Sequence, residues 1–212
     1  MYITKNSTII PARIYSKCSF MDMTWHGGSC FTIKGKKGTV VTNPYAANTK
    51  NEKLKADVVL VTDMGYDKLL TVSGEPKSFD VPGEYEVSEI PVIGIETPNK
   101  KTIFQFRVDD INFCHLGTLD QPLSAELIEK IGDVDILLVP VGGNGTLDAK
   151  KAHDVIEEIE PRVVVPMEYD DLTAFAKISS IPATATPKDS FSAPNRAALP
   201  QDKTEYVVLN VK

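Results

Sequence analysis

The chain has 212 residues, 42% of them apolar, which is enough to bury one full core without disulfides. Its net charge of −6 and pI of about 5.1 argue against a general nucleic-acid binder, which needs a basic face, and against binding to anionic membranes. Cys18, Cys30 and Cys114 are odd in number, widely spaced and without a CxxC pair, so free thiols in a reducing compartment are expected, with no zinc knuckle.

Residues 1–22 lack clear periodicity and are read as an N-terminal extension. An added strand, a disordered arm, and a domain start at Met21 or Met23 all remain open. This stretch has no apolar h-region, and no run reaches the eighteen or so apolar residues of a membrane span, so a cytoplasmic protein is expected. From Met23 to Lys212 the chain reads as a single domain. MTWHG, SCFTIKG and GTVVTNP predict short strands, with Gly35 and Gly38 bracketing a hairpin whose tip carries Lys34, Lys36 and Lys37. Asn43-Pro44 ends the third strand. ADVVLVT is a continuous apolar run, as expected of a strand covered on both faces. KSFDV, EYEVSEIPVIGI, IFQFRV and INFCHLG predict further β segments.

The pattern then changes. LSAELIEKIG predicts a helix ending at Gly132, VDILLVPV a buried strand, and LDAKKAHDVIEEIE a helix with Ala149, Ala152, Val155, Ile156 and Ile159 on one face. RVVVPM follows as a buried strand and DDLTAFAKIS as a helix. Residues 182–203, with four prolines, predict a loop, and TEYVVLNV a last strand. The Gly142-Gly143-Asn144-Gly145-Thr146 stretch is neither a Walker loop nor a full GxGxxG; it reads as a turn, with Thr146 or Asp148 capping the next helix. Many strands followed by β-α-β-α fit two sheets packed face to face with helices outside.

Two carboxylates, Asp63 and Asp67, stand just past the strand VLVT, with Lys68 after the second. Strand ends of this kind commonly hold ligands or metals. The ordered segments TWHGGSCFTI, VTNPY, ADVVLVTDMGYDK, VPGEYEV, IPVIGI, NFCHLGT, VDILLVPVGGNGTLDAKKA and EPRVVVPMEY together resemble the metallo-β-lactamase-fold superfamily. The resemblance is to its small bacterial branch of zinc-dependent-hydrolase-like and ascorbate-phosphate-lactonase-like proteins. It implies an αβ/βα four-layer sandwich, with two mixed sheets face to face and helices outside.

In that family the strand ends in Thr-His-x-His-x-Asp-His. The histidine positions fall here on Asp63, Gly65 and Lys68, and only Asp67 matches. The family's bridging Asp is replaced by Thr118, its later His by Glu168, its Gly-His by Gly27-Gly28, and its Ile-Asp-Pro by Thr42-Asn43-Pro44. The loop Glu96–Lys101, where a further ligand His is expected, holds none.

These departures lead to the expectation of a non-catalytic member whose pocket binds a small molecule or a protein, with no zinc-dependent hydrolysis and no cofactor. His26, Asp63, Asp67, Lys68, His115, Thr118 and Glu168 are expected to line that pocket, with Lys68 paired to the acids in place of a metal. The alternative is a metal-dependent hydrolase with a rebuilt, carboxylate-rich site. There Asp63, Asp67 and Glu168, with His115, would hold a divalent ion (Zn, Mn or Mg), hard oxygen donors favouring Mn or Mg. His115 is otherwise a hydrogen-bonded structural residue, and His153 is expected to be exposed on its helix. A Cys30 or Cys114 nucleophile would need an activating histidine.

Overall fold

In the computed structural model, residues 20–45, 53–63, 72–182 and 185–212 are described. The alternation expected of a half-covered strand is plain in β1 (Met21–Trp25), where Met21, Met23 and Trp25 are buried and the residues between them half-buried. It begins two residues before the expected start at Met23. β2 (Phe31–Lys34), β3 (Thr39–Thr42), β4 (Val58–Leu60) and β5 (Lys77–Phe79) follow. The segment EYEVSEIPVIGI is not one strand but a hairpin of β6 (Gly83–Val87) and β7 (Ile90–Glu96). Ser88 and Glu89 between them both have positive φ, the conformation that closes a two-residue hairpin in register. β8 (Thr102–Val108) and β9 (Ile111–His115) complete an antiparallel meander.

Helix α1 (Ala125–Ile131) starts at Ser124, whose hydroxyl accepts from the Leu127 N–H, and stops at Gly132. After β10 (Ile136–Pro140), α2 (Ala149–Ile159) is capped by Asp148, as expected, and buries Ala152, Val155, Ile156 and Ile159. His153 on this helix is half-buried rather than exposed. β11 (Val163–Met167) and α3 (Thr173–Ile178) follow.

Residues 182–203 are not all loop. β12 (Phe191–Ala193) pairs antiparallel with Met21–Met23 as an edge strand, and Pro194 then removes the next donor. The last strand is shorter than expected: β13 covers only Glu205–Tyr206, although Val207 and Leu209 beyond it are buried.

Two mixed sheets result, one ordered β12-β1-β2-β3-β4-β5 and the other β13-β11-β10-β9-β8-β7-β6. Their facing sides share one core in which Met21, Met23, Phe31 and Leu60 meet Phe104, Phe106, Phe113, Ile136, Val163 and Val165. On the outer side of the second sheet, Cys114, Leu137, Val139 and Val164 pack against the apolar faces of all three helices. β10 and β11 are therefore covered on both faces, which explains their unbroken apolar sequences. Each such side chain contributes about 1.5–3 kcal/mol on burial. This is the α/β sandwich of the metallo-β-lactamase type that the resemblance implies. No helix among the described residues is long and apolar enough to cross a membrane.

Candidate functional site

β4, β9, β10 and β11 bring their C-terminal ends to one end of the sandwich, where open α/β sheets usually hold their ligands. Asp63 lies three residues beyond β4, and its Oδ2 accepts a hydrogen bond of 3.0 Å from Thr118 Oγ1, beyond β9. The two sheets thus meet through that contact. Gly117 permits it: its φ is +58°, and a Cβ there would stand 2.4 Å from Thr62 Oγ1. Glu168 follows β11 directly. Its φ of +55° is uncommon for a residue with a side chain and is a form of strain concentrated at functional sites.

Glu168 lines a cleft of about 430 Å³ together with Gly28, Gly142, Gly143, Asn144, Thr146, Tyr169, Asp170 and Asp171. Gly142 is required for close approach, since a Cβ there would lie 2.1 Å from the Glu168 carbonyl oxygen. Burial pushes the Glu168 carboxyl above its usual range, while the Ser29 hydroxyl and amide that face it act in the opposite direction. Among the described residues, Oε1 of Glu168 is buried and has no hydrogen bond.

Beneath these acids lies a buried polar network. The Asn43 amide donates to Ser29 Oγ at 2.9 Å and to Thr62 Oγ1 at 2.8 Å, and its carbonyl accepts the Thr62 N–H at 2.9 Å. The Ser29 carbonyl accepts from Thr42 Oγ1 at 2.9 Å and faces His115 Nε2 at 3.0 Å. The Gly117 N–H donates to His115 Nδ1, which is therefore the acceptor nitrogen, so Nε2 carries the proton and donates to Ser29. With both nitrogens engaged and its pKa lowered to about 4 by burial, His115 is a neutral structural brace rather than a ligand.

The other expected residues divide. His26 is buried, bonds Thr32 Oγ1 through Nε2 at 2.8 Å, and lines a separate cleft with Thr24, Lys34, Lys53 and Lys55. Asp67, Lys68 and the Lys68-centred ion pairing lie outside the described residues. A different lysine stands near Asp63: Lys101 donates to the Thr118 carbonyl at 2.7 Å and pairs with Asp120 at 3.2 Å. Cys114 is fully buried and its thiol is pushed up to about 12, so it carries no nucleophilic thiolate. Ser29, Asn43 and Lys101 have no motif of their own; the only signal for Asn43 was its place in Thr42-Asn43-Pro44 at a strand end.

A histidine-rich zinc centre does not fit here, because among the described residues no three His, Cys, Asp or Glu side chains cluster. The donors on the strand ends that are described, Glu168 and Asp63, are oxygen donors, the type that hard cations take. Glu168 Oε1 is buried without a hydrogen bond among the described residues, Asp63 Oδ2 is held by Thr118, and magnesium-type sites commonly use one or two carboxylates plus water or substrate oxygens.

Residues 22–168 match the family model described as a β-lactamase superfamily domain. A UPF0173 protein of Pyrococcus abyssi is 26% identical over 70% of this chain and 83% of its own length. A UPF0173 metal-dependent hydrolase of Thermoplasma acidophilum is 28% identical over 71% of this chain and 84% of its own. The crystal structure of a candidate zinc-dependent hydrolase of the metallo-β-lactamase superfamily from Thermotoga maritima superposes with a TM-score of 0.76 at 29% identity. It covers 89% of this chain and 98% of the Thermotoga chain. These relatives correct the expectation of a non-catalytic member. That reading rested on unmatched ligand positions, yet the similar proteins are named metal-dependent hydrolases. With more than half its length matched, the chain belongs to the β-lactamase superfamily.

Proposed function

We propose that the protein is a metal-dependent hydrolase whose cation is held by carboxylate oxygens of Glu168 and Asp63. The observation that carries this reading is the buried Glu168 oxygen, without a hydrogen bond among the described residues, set at a strand end in a left-handed backbone beside an open polar cleft. The relatives' names support it. A hard divalent cation would supply charge to polarise a substrate carbonyl or phosphoryl oxygen and to acidify water.

The chain's own residues do the positioning. Thr118 orients the Asp63 carboxylate, the Ser29 hydroxyl and amide face Glu168, and Gly142 lets the 168–169 backbone come close enough to form the cleft wall. Gly28, Gly143 and Asn144 leave room above Glu168 for substrate. Thr118 and Glu168 would then be the working members of the expected pocket. We take the chain from the start of β1 at Met21 to Lys212 as one catalytic domain, two residues longer than the expected 23–212.

The scaffold hosts lactone, phosphodiester, thioester and β-lactam chemistry elsewhere, so the test spans those classes. Chromogenic substrates of each class are offered with Mg²⁺ or Mn²⁺. Turnover is expected in at least one class, dependent on the ion and reduced at least a hundredfold in both Glu168→Gln and Asp63→Asn, as for loss of a group acting in the transition state. Turnover unchanged in both variants would refute the assignment.

A further inference from the structure

We propose that the cleft on the outer face of the first sheet is an anion site for a small phosphate group, held by Lys34, Lys53 and Lys55. The cleft has a volume of about 160 Å³, and its floor is built by strand alternation. Met21, Met23 and Trp25 of β1 turn into the core, so Thr24 and, just past the strand, His26 fall on the outer side. Thr24 faces Thr32 of β2 in register, and Lys34 lies two residues further along the same side. His26 Nε2 and Thr32 Oγ1 are 2.8 Å apart and both residues are buried, so the floor is polar and fixed.

The opposite wall is the segment before β4. Leu54 is buried in the outer apolar cluster with Val41 and Val59, while Lys53 and Lys55 on either side of it are exposed. The Ser73 N–H donates to the Leu54 carbonyl at 2.9 Å, and the Ala56 N–H donates to the Ser73 carbonyl at 3.1 Å. These bonds hold the segment in place, with its two lysines on the cleft.

The charge of the cleft runs against that of the molecule. The chain has 29 acids against 23 lysines and arginines, yet among the described residues no Asp or Glu lines this cleft. Elsewhere lysines are met by acids: Lys101 by Asp120, Lys130 by Glu126 and Lys150 by Asp154. Lys34, Lys53 and Lys55 make no ion pair among the described residues. Asp22 stands opposite Lys34 in register, but its Oδ1 accepts from the Ser192 hydroxyl at 2.6 Å. A cleft lined by one sign of charge focuses the field and gathers counter-ions. Lysine ammoniums hold phosphate as point charges, and the Thr24 and Thr32 hydroxyls add uncharged donors. Three cations balance a phosphate dianion more closely than a single carboxylate. The volume lies below the roughly 300–1,000 Å³ of clefts for drug-sized ligands. The ligand is therefore free phosphate or the phosphate end of a larger molecule. This site is independent of the cation assigned to Glu168.

The test is calorimetric titration of inorganic phosphate into the full chain in chloride-poor buffer. Wild type is expected to bind with a dissociation constant of about 1 mM or below. In the triple variant Lys34→Gln, Lys53→Gln, Lys55→Gln the constant is expected to rise at least about tenfold, the scale of hydrogen bonds to a charged group. Lys130→Gln, Lys150→Gln, Lys177→Gln removes the same charge from the helices over the other sheet and should change it less than about twofold, because distant charges are screened. No saturable binding in wild type, equal affinities in wild type and the cleft variant, or an equal loss in the helix variant would overturn the site. Binding lost in Glu168→Gln but kept in the cleft variant would also overturn it, because the phosphate would then sit on the cation. Phenyl phosphate separates the two sources: competition with inorganic phosphate supports a phosphomonoester end group, and failure to compete supports free phosphate.

Discussion

Buried His115 and half-buried Glu168 are titratable residues at the same end of the sandwich, and burial moves them in opposite directions. For His115 the charged form is the protonated one, so burial lowers its pKa, from 6.5 to about 4. The unfolded chain therefore takes up the proton first as pH falls. The contribution to stability is complete above about pH 6.5 and is lost as pH falls toward 4, by about 3 kcal/mol in all. Urea midpoints measured across this range should fall more steeply in wild type than in His115→Asn; equal slopes would contradict a neutral, structural His115. The sequence had brought His115 to the pocket by its place at a strand end, but could not show that both ring nitrogens are taken. Glu168 was legible because it directly follows a buried strand at a family ligand position. Ser29 and Asn43 were not, since their bonds join positions 14 apart in the chain across a β2–β3 hairpin.

Strands β4, β10 and β11 were legible as elements because both faces are buried and the apolar run is unbroken. Helix α2 was legible through its period and its Asp148 cap. β12 was not: three residues between prolines cannot show an alternation, and its pairing with β1 is decided by tertiary packing. Packing at the element ends also carries testable consequences. Asp135, fully buried at the start of β10, receives Arg162 at 2.9 Å, Arg196 at 2.8 Å and the Asn112 N–H at 2.9 Å. It ties β9, β10 and the approach to β11 to the segment after β12. Asp135→Ala should cost about 3 kcal/mol, the low end for a broken buried pair because both arginines remain partly exposed, measurable as a lowered urea midpoint. At the other end of β10, Gly142→Ala must push back the Glu168 carbonyl. It should cost about 1–3 kcal/mol as overpacking and also weaken Mn²⁺ binding, because it moves the backbone that carries Glu168. Unchanged Mn²⁺ affinity in a folded Gly142→Ala would separate the cleft from the cation site.

The whole molecule is acidic, with a net charge of −6, and Glu168, Asp170 and Asp171 share one cleft. A field of that sign concentrates cations rather than anionic ligands. Mn²⁺ affinity should therefore fall as KCl is raised, because exposed Asp170 and Asp171 act at a distance and are screened within about 10 Å at 0.1 M salt. An affinity independent of salt would confine the effect to the buried ligands. The fold class was legible from the order of strands and helices, whereas the chemistry was misread because matching was sought at the family's histidines. On the reading proposed above, oxygen donors would take the place of nitrogen donors at the ends of the same strands. The most direct measurement is metal content by elemental mass spectrometry after incubation with Mg²⁺, Mn²⁺ or Zn²⁺ and gel filtration, on protein purified without chelator or His tag. Near-stoichiometric metal in wild type, lost in Glu168→Gln, is the result predicted by a carboxylate-held cation. Sub-stoichiometric metal with every ion, or equal loading of wild type and Glu168→Gln, would contradict it.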